Sequence, residues 1–373
     1  MLSTKATAGF LIFSHYSALL YTGDLMPSEP GIRHDITLGL YCLPAIIVIS
    51  VAGYLTDHVA AASIATGGAI TLAFGANKTW GGSSLSLLAT TVAGLIFSAW
   101  LGSLTGNIFS LYVAGALLFT GLYVVMANID VSAWWMLQQW TITYLVSGSF
   151  AGTPEHALLR AGLVGAGGTL QMIILAIIFQ RRNFQLRDFS PGTWKRFLMH
   201  FLVKYKHRVH LQWSVICGML GMAGALTAVH LLNLTNGYWA GMTLLICLRN
   251  NYRDTLSRVQ ARVLGTLTGC ITAAGLIDYC SSSLLIMAGF IITGFAAFTF
   301  SYSMINRSYG LFSFLITTMV VFMISGFGIP QTGIALHRFE STALGGATAI
   351  LAIILTRMAT REQIMKVSRS GTG

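Results

Sequence analysis

The residues with the clearest chemical potential are arginines that interrupt an otherwise apolar sequence. Residues 236–269 read NGYWAGMTLLICLRNNYRDTLSRVQARVLGTLTG and include the aromatic pair Tyr238 and Trp239. Four arginines follow this pair, which are Arg249, Arg253, Arg258 and Arg262. Such a cluster of cations would concentrate an organic anion, and the aromatic pair offers faces for an aromatic ring. The usual excess of basic residues in cytoplasmic loops of membrane proteins predicts the same arginines without a binding site.

The spacing of these arginines predicts their arrangement. Arg258 and Arg262 are four residues apart, so they are expected to share one face of a helix. Arg249 and Arg253 have the same spacing. Asp254 is expected to pair with Arg253 or Arg258 and thereby to reduce the positive field.

Two more arginines lie inside apolar segments, and a carboxylate follows one of them. Arg160 and Arg338 each stand about one helical turn into their segment. Because ionisable groups inside a membrane usually face protein or water, these arginines either anchor their helices at the interface or line an outward vestibule for an anion. Glu340 could bind and release a proton and so couple transport to a proton gradient. Its alternative role is structural, as the partner of an arginine or of His337.

The composition places these residues in an integral membrane protein. Only 9% of the residues are charged and 55% are hydrophobic, whereas roughly a quarter of the residues in soluble domains are charged. Apolar stretches of about 17 to 25 residues recur along the chain, and in a bilayer such stretches fold as helices or closed barrels. The runs are continuous rather than alternating, so the sequence predicts an all-α, polytopic membrane protein.

Counting apolar runs between polar breaks predicts about twelve transmembrane helices in two sets of six. The first set covers 36–54, 59–75, 85–104, 109–126, 131–146 and 156–179. The second set covers 211–231, 238–248, 262–276, 284–300, 310–324 and 333–356. The chain then divides into an N-terminal interfacial segment (1–35), a first membrane half (36–180), a basic cytoplasmic linker (181–210), a second membrane half (211–357) and a cytoplasmic tail (358–373). The linker is predicted to be a solvated loop or to contain one amphipathic helix over 194–206.

The two halves are predicted to be repeats of the same orientation, because six spans per half is an even number. The sixth segments read ALLRAGLVGAGGTLQMIILAII from Ala157 and ALHRFESTALGGATAILAII from Ala335. Their alignment matches Arg160 with Arg338. It also matches two glycine pairs, Gly167-Gly168 and Gly345-Gly346.

A weaker match relates the third segments of the two halves. Gly94 falls near Gly265 when Thr71 is laid on Thr243.

With a cytoplasmic N-terminus, every lysine and arginine except the two repeat-equivalent arginines falls on the cytoplasmic side, which favours cytoplasmic termini.

Residues 238–269 resemble the signature of the fusaric acid resistance and aromatic acid exporter family of membrane proteins. In that signature a Tyr-Trp pair, a following Thr and an Arg-x-x-x-Arg-x-x-Gly-Thr-x-x-Gly run recur. The matching positions are Tyr238, Trp239, Thr243, Arg258, Arg262, Gly265, Thr266 and Gly269. The arginine and glycine pair of the sixth and twelfth segments fit the same pattern. The first half resembles the family only in topology, since Thr66 and Gly67 stand where the aromatic pair is expected.

The resemblance implies a bacterial inner-membrane exporter of small, aromatic organic acids that uses the proton gradient. Glu340 is the expected proton-coupling residue. The expected substrate-binding residues are Tyr238, Trp239, Arg249, Arg253, Arg258, Arg262, Arg160 and Arg338. Some members of the family work with a periplasmic adaptor protein, and longer members carry a cytoplasmic domain for which the linker at 181–210 is too short.

Two further groups of residues could contribute to packing and binding. Glycines let helices approach closely, either within the chain or in a homodimer, and two of them, Gly265 and Gly269, have small-xxx-small spacing. The glycines concerned are Gly265, Gly269, Gly345 and Gly346. The fifth segment could add a binding face, although an aromatic belt at the membrane interface also explains its tryptophans. The residues concerned are Trp134, Trp135, Gln138, Gln139 and Trp140.

No catalytic or metal signature accompanies these residues. The sequence contains no HExxH, GxSxG or phosphate-loop motif, its nine histidines are scattered and its five cysteines have no CxxC spacing. We therefore expect no enzyme activity, no cofactor, no metal and no nucleic-acid partner. The expected partners are a small organic anion and membrane lipids. Two other functions remain open, a passive organic-anion channel and a membrane scaffold that transports nothing.

Overall fold

The apolar runs of the sequence fold as α-helices in a computed structural model of the chain. The structure describes residues 32–78, 84–128, 130–179, 209–249, 251–279, 282–303, 308–326 and 334–370. Over these residues twelve helices follow one another and no strand occurs. The all-α class is therefore confirmed. Residues 1–31 of the predicted interfacial segment and the helix predicted over 194–206 lie outside the described residues.

The helices follow the order of the predicted segments. The first set consists of α1 (Ile32–Leu55), α2 (Val59–Ala73), α3 (Ser84–Thr105), α4 (Phe109–Met126), α5 (Val131–Ser149) and α6 (Pro154–Phe179). The second set consists of α7 (Val209–Leu231), α8 (Tyr238–Cys247), α9 (Tyr252–Tyr279), α10 (Ser283–Ser303), α11 (Tyr309–Gly326) and α12 (Ile334–Ser370).

Seven of the described helices contain a stretch that is long and apolar enough to cross a membrane. These stretches are Asp35–Leu55, Leu85–Thr105, Phe109–Met126, Pro154–Ile178, Leu211–Leu231, Tyr309–Gly326 and Leu336–Gln363. Three more, Val59–Ala73, Tyr238–Cys247 and Leu285–Phe300, are apolar but shorter. Length and composition thus support a multi-pass membrane protein, while twelve full spans stay a prediction.

Helix α8 is the shortest of the described helices. It has ten residues, so it is about 15 Å long, half of the roughly 30 Å thickness of the hydrocarbon layer. The helix ends at Cys247 because Leu248 adopts an extended backbone conformation, with φ −63° and ψ 122°. The polar residues that flank α8 are therefore much closer together than the two ends of a full transmembrane helix.

The pairs of packed helices recur with a period of six. Helix α3 packs against α5 and α6, as α9 packs against α11 and α12. Helix α2 packs against α6, as α8 packs against α12. Contacts between the sets also correspond, since α4 packs against α7 and α10 packs against α1.

Glycines permit the closest of these helix contacts. A Cβ atom on Gly167 of α6 would collide with the carbonyl oxygen of Ala65 in α2. A Cβ atom on Gly345 of α12 would collide with the carbonyl oxygen of Ala240 in α8. In both sets, therefore, a glycine of the last helix lets the backbone of the second helix approach directly.

The other glycines predicted to pack helices also make contacts within the chain. Gly265 and Gly269 lie against the backbone of α11. Gly346 lies against the side chain of Val259 in α9. These contacts are those expected if the glycines pack helices within the chain, and the homodimer stays a prediction.

Two hydrophobic cores hold the helix sets together. One joins α1, α2, α3, α5 and α6 to α10 and α11, through residues such as Leu72, Leu95 and Phe298. The other joins α4 and α5 to α7 and α8, through residues such as Tyr144 and Leu226. Because each core contains residues of both sets, each set depends on the other for burial of its apolar side chains.

Replacement of Gly345 by leucine should destabilise the protein. The new side chain would meet the carbonyl of Ala240, which belongs to the backbone and cannot rotate away, so α12 and α8 would have to separate. Overpacking of this kind costs about 1–3 kcal/mol. The apparent melting temperature of the purified protein in detergent should fall. Gly162→Leu is the matched control, because a Cβ atom on Gly162 meets nothing within 4 Å; equal melting temperatures for the two variants would contradict this packing of α12.

Candidate functional site

A group of polar side chains lies among α8, α9, α11 and α12, in otherwise apolar surroundings. On α8, α9 and α11 these side chains recur every four residues, and on α12 two of them follow the first by three and four residues, so on each helix they occupy one face. All of them are buried, and they are referred to below as the polar core. Its members are Trp239, Thr243 and Cys247 of α8, Arg262, Thr266 and Cys270 of α9, Tyr309, Ser313 and Thr317 of α11, and Arg338, Ser341 and Thr342 of α12.

Arg338 is the most deeply buried charge of the polar core. Its side chain is 1% exposed, and its guanidinium carbon lies 3.8 Å from the centroid of the Trp239 ring. None of its three guanidinium nitrogens has a hydrogen-bond partner among the described residues. Removing an ion from water costs several kcal/mol, whereas a desolvated cation–π contact contributes about 2 kcal/mol. The contacts made by the described residues therefore offset only part of the free-energy cost of burying this cation.

Arg262 is the second buried cation of the polar core. It is 3% exposed, and its Nε atom has no partner within the described part of the chain. Its backbone carbonyl accepts a hydrogen bond from the hydroxyl of Ser313 at 3.2 Å, which holds α9 against α11. Two positive charges, one from α9 and one from α12, thus face the same buried region.

Several hydroxyl groups of the polar core have no hydrogen-bond partner among the described residues. They belong to Thr243, Thr266, Thr317, Ser341 and Thr342. Buried polar groups in proteins nearly always find a partner in protein or water. Elsewhere in this chain threonine hydroxyls donate to the carbonyl four residues earlier, as Thr91 does to Leu87 at 2.7 Å. These five hydroxyls are therefore available to a polar ligand or to water.

A second group of cations lies at the C-terminal end of α8. The guanidinium carbon of Arg249 is 4.9 Å from the ring centroid of Trp134 in α5, and that of Arg258 is 4.7 Å from the ring centroid of Tyr309. Arg258 lies outside the candidate spans, and burial, followed by the repulsion from Arg249, lowers its pKa. Two arginines close enough to repel one another favour an anion between them.

The turn between α8 and α9 differs from the predicted arrangement. Arg249 precedes α9 and so shares no helix face with Arg253, whose side chain is exposed. Asn251 caps α9, since its Oδ1 atom accepts from the Asp254 N–H at 2.8 Å and its amide donates to the Asp254 carboxylate at 2.5 Å. No ion pair among the described residues joins Asp254 to Arg253 or Arg258, so the predicted pairing is not found.

The two repeat-equivalent arginines lie at the N-terminal end of α8. The guanidinium carbon of Arg160 is 5.2 Å from the ring centroid of Phe150. The ring centroid of Phe150 is 6.1 Å from that of Tyr238, which is 5.1 Å from that of Trp239. Trp239 in turn contacts Arg338. The rings of Phe150, Tyr238 and Trp239, called the aromatic row below, therefore connect the two arginines.

Glu340 does not belong to the polar core. Its carboxylate lies 3.2 Å from Nδ1 of His337, and 41% of its side chain is exposed. Within the described residues no contact joins it to Arg338, which lies two residues earlier and is buried. The structure thus contains the contact with His337 that the structural alternative predicts.

One tryptophan of α5 reaches an arginine of the candidate site. Trp134 contacts Arg249. Trp135 is buried in the hydrophobic core shared with α10 and α11, and the indole N–H of Trp140 donates to the carbonyl of Thr91 at 3.1 Å. Trp135 and Trp140 therefore pack against other helices of the bundle. An aromatic belt that faces lipid headgroups would not need these contacts.

Tyr309 and Phe150 are among the candidate residues that escaped the sequence reasoning. Tyr309, Ser313 and Thr317 recur every four residues in an apolar segment, and this polar stripe is visible in the sequence. Phe150 follows α5 and gives no such signal. Only the packing of α5, α6 and α8 brings its ring to Arg160.

The polar core has the chemistry of an anion site. A guanidinium can donate two parallel N–H groups to one carboxylate, hydroxyl groups can donate further hydrogen bonds, and Trp239 presents an aromatic face. Among the described residues, no group of three or more His, Cys, Asp or Glu side chains could hold a metal ion.

Comparisons with known proteins find similarity over part of this chain. A family model described as fusaric acid resistance protein-like matches residues 222–352. A protein of Neisseria gonorrhoeae called ORF2 is 30% identical over 149 residues, which cover 40% of this chain and 33% of the relative. A protein of Haemophilus influenzae is 26% identical over 117 residues, which cover 31% of this chain and 16% of the relative. This chain therefore spans a third or less of these relatives, and no solved structure matches it.

The matched region contains the whole polar core. It also contains Arg249 and Arg258, whereas Arg160 and Phe150 lie outside it. The resemblance noted in the sequence is thereby confirmed, since residues 222–352 match the model of the fusaric acid resistance protein-like family.

Proposed function

We propose that this protein is an inner-membrane transporter that exports small, aromatic organic anions. The observation that carries the proposal is the Arg338 guanidinium, buried against Trp239 with no hydrogen-bond partner among the described residues. A buried charge requires compensation by an opposite charge. A carboxylate that binds Arg338 would supply that charge. When the substrate leaves during transport, Trp239 would still cover the cation, so the protein would stay folded.

The aromatic part of the substrate is inferred from the faces that surround the cations. Arg338 lies against Trp239, Arg258 against Tyr309 and Arg249 against a tryptophan of α5. A guanidinium stacked on a ring keeps its in-plane N–H groups available for a carboxylate. A planar aromatic acid can then place its ring beside the protein ring while its carboxylate binds the cation.

The path of the substrate follows from the positions of the cations at the two ends of α8. Arg249 and Arg258 lie at one end and Arg338 lies at the other, about 15 Å apart by the length of the helix. Between them lie the hydroxyls of Thr243 and Thr266. An anion that enters at the first group can therefore reach Arg338 without crossing a wholly apolar region.

The proposed architecture is twelve spans in two parallel six-helix repeats. The recurrence of helix pairs with a period of six supports it. So do the glycine contacts, since Gly167 and Gly345 face the backbone of α2 and α8, and Gly102 and Gly269 face carbonyl oxygens of α5 and α11. With both termini cytoplasmic, Arg249 and Arg258 would open toward the cytoplasm, and Arg338 would lie toward the periplasm, which is the direction of export.

The contacts favour a different alignment of α3 with α9 from the one seen in the sequence. Gly94 lies against the indole ring of Trp140, whereas Gly265 lies against the backbone of α11. Gly102 and Gly269 both face a carbonyl oxygen of the neighbouring helix. We therefore align Gly102 with Gly269 in place of the predicted match of Gly94 with Gly265.

Proton coupling is assigned to Glu340 and His337. The two side chains are 3.2 Å apart and each is partly exposed, so a proton could pass between them and the solvent. Their helix also carries Arg338, through which protonation could be linked to substrate binding.

A passive anion channel is the second candidate, and one observation favours it: the polar core contains arginines and hydroxyls but no carboxylate.

Substitution of Arg338 or Arg258 by alanine should reduce transport at least tenfold. The variant loses a cation that would pair with the carboxylate of the substrate, and loss of one partner of such a charge pair costs about 2–5 kcal/mol of binding free energy. The measurement is uptake of radiolabelled hydroxybenzoate into inverted membrane vesicles with an imposed pH gradient. Arg361→Ala is the matched control, since Arg361 is exposed near the C-terminal end of α12. Uptake by Arg338→Ala equal to that of the control would contradict the assignment of the polar core as the substrate site.

Substitution of Glu340 by glutamine should preserve substrate binding and abolish the dependence of uptake on the pH gradient. The amide is similar in shape but cannot exchange a proton. Uptake is compared with and without the gradient, and binding is measured in parallel on the same membranes. Coupling that persists in Glu340→Gln would exclude Glu340 as the proton carrier. Currents in the native protein that reverse at the Nernst potential of the anion, whatever the pH gradient, would favour the channel.

A further inference from the structure

The aromatic row connects two arginines that belong to different helix sets. Arg160 and Phe150 come from the end of the first set, and the remaining members come from the second set. Distances along the row are short, at 5.2, 6.1, 5.1 and 3.8 Å between successive groups. A planar ring sliding along the row would therefore remain in contact with at least one aromatic face at every step.

We propose that Arg160 and Phe150 form a second, shallower binding site for the same aromatic anion. The substrate would pass to it from Arg338 along the faces of Trp239 and Tyr238, and would leave the protein from there. This inference rests on the proposed function, because it orders two sites along one export path.

Exposure increases along the row from Arg338 toward Phe150. Arg338 is 1% exposed, Trp239 and Tyr238 are 7% and 8% exposed, and Phe150 is 47% exposed. Arg160 is partly exposed. Water raises the effective dielectric around a charge pair and weakens it. The anion is therefore held more weakly at Arg160 than at Arg338, as release requires.

The position of the Arg160 side chain fits binding better than anchoring. An arginine that anchors a helix extends its guanidinium to the lipid headgroups. The guanidinium of Arg160 instead lies over the ring of Phe150, in the arrangement that Arg338 adopts over Trp239. No ion pair among the described residues includes Arg160, so its N–H groups are available to a carboxylate.

The test separates binding from release in the full-length protein, reconstituted in liposomes. Equilibrium binding of radiolabelled hydroxybenzoate gives the Kd, a chase with unlabelled compound gives the dissociation rate, and gradient-driven uptake gives the turnover. The variants are Arg160→Gln and Phe150→Leu, which keep the approximate size of each side chain, and Arg338→Gln. Phe97→Leu is the control, because Phe97 is an exposed phenylalanine of α3 away from the row.

Arg160→Gln and Phe150→Leu should leave the Kd within about twofold of the native value, since the tighter site is intact. They should lower the turnover and the dissociation rate about tenfold, because the exit site has lost its cation or its aromatic face. Arg338→Gln should raise the Kd at least tenfold, as expected for the loss of a buried charge pair. The control should match the native protein.

Native turnover in both Arg160→Gln and Phe150→Leu would overturn the inference. So would a loss of affinity equal to that of Arg338→Gln, because Arg160 would then belong to the same site. Neither result would affect the proposed function. If the native protein neither binds nor transports aromatic acids, the proposed function fails and the exit site fails with it.

Discussion

The burial of the Arg338 cation is the constraint on which the second helix set depends. A guanidinium in apolar surroundings requires contacts that lipid cannot provide. Trp239 provides one of them at 3.8 Å, which requires α8 to lie directly against α12. That approach is possible because Gly345 has no side chain where the carbonyl of Ala240 passes. The aromatic pair, the glycine pair and the buried arginine are therefore parts of a single structural requirement.

The short length of α8 also determines the arrangement of the site. A full-length helix would place cations at opposite membrane surfaces, beyond the reach of one another in a saline medium. Instead, the extended backbone at Leu248 and the cap provided by Asn251 turn the chain back into α9. Arg258 and Arg262 thereby enter the same bundle as Arg338. Positive charges that repel one another are therefore held close together.

Much of this arrangement could be predicted from the sequence, for physical reasons that also mark the limits. Apolar runs determine helices, and the predicted boundaries of α4 at 109–126 coincide with those of the structure. A charge is conspicuous in an apolar segment, so Arg160 and Arg338 were found. Phe150, which lies against Arg160, was not found, because this contact arises from tertiary packing. The pairing of Arg249 with Arg253 failed since it assumed a continuous helix through the turn.

The relation between the two helix sets explains why only one of them carries the polar core. Glycine contacts align Ala65 with Ala240 and, through Gly168 and Gly346, Val92 with Val259. With these alignments, Ile64 occupies the position of Trp239, and the buried Leu95 occupies that of Arg262. The first set therefore fills with apolar side chains the region that the second set fills with cations and rings. Arg160 alone keeps its charge, and without a tryptophan of its own it lies on Phe150, beside the aromatic pair of the other set. The first set thus supplies structural support and one arginine at the end of the row, while the second set supplies the polar core.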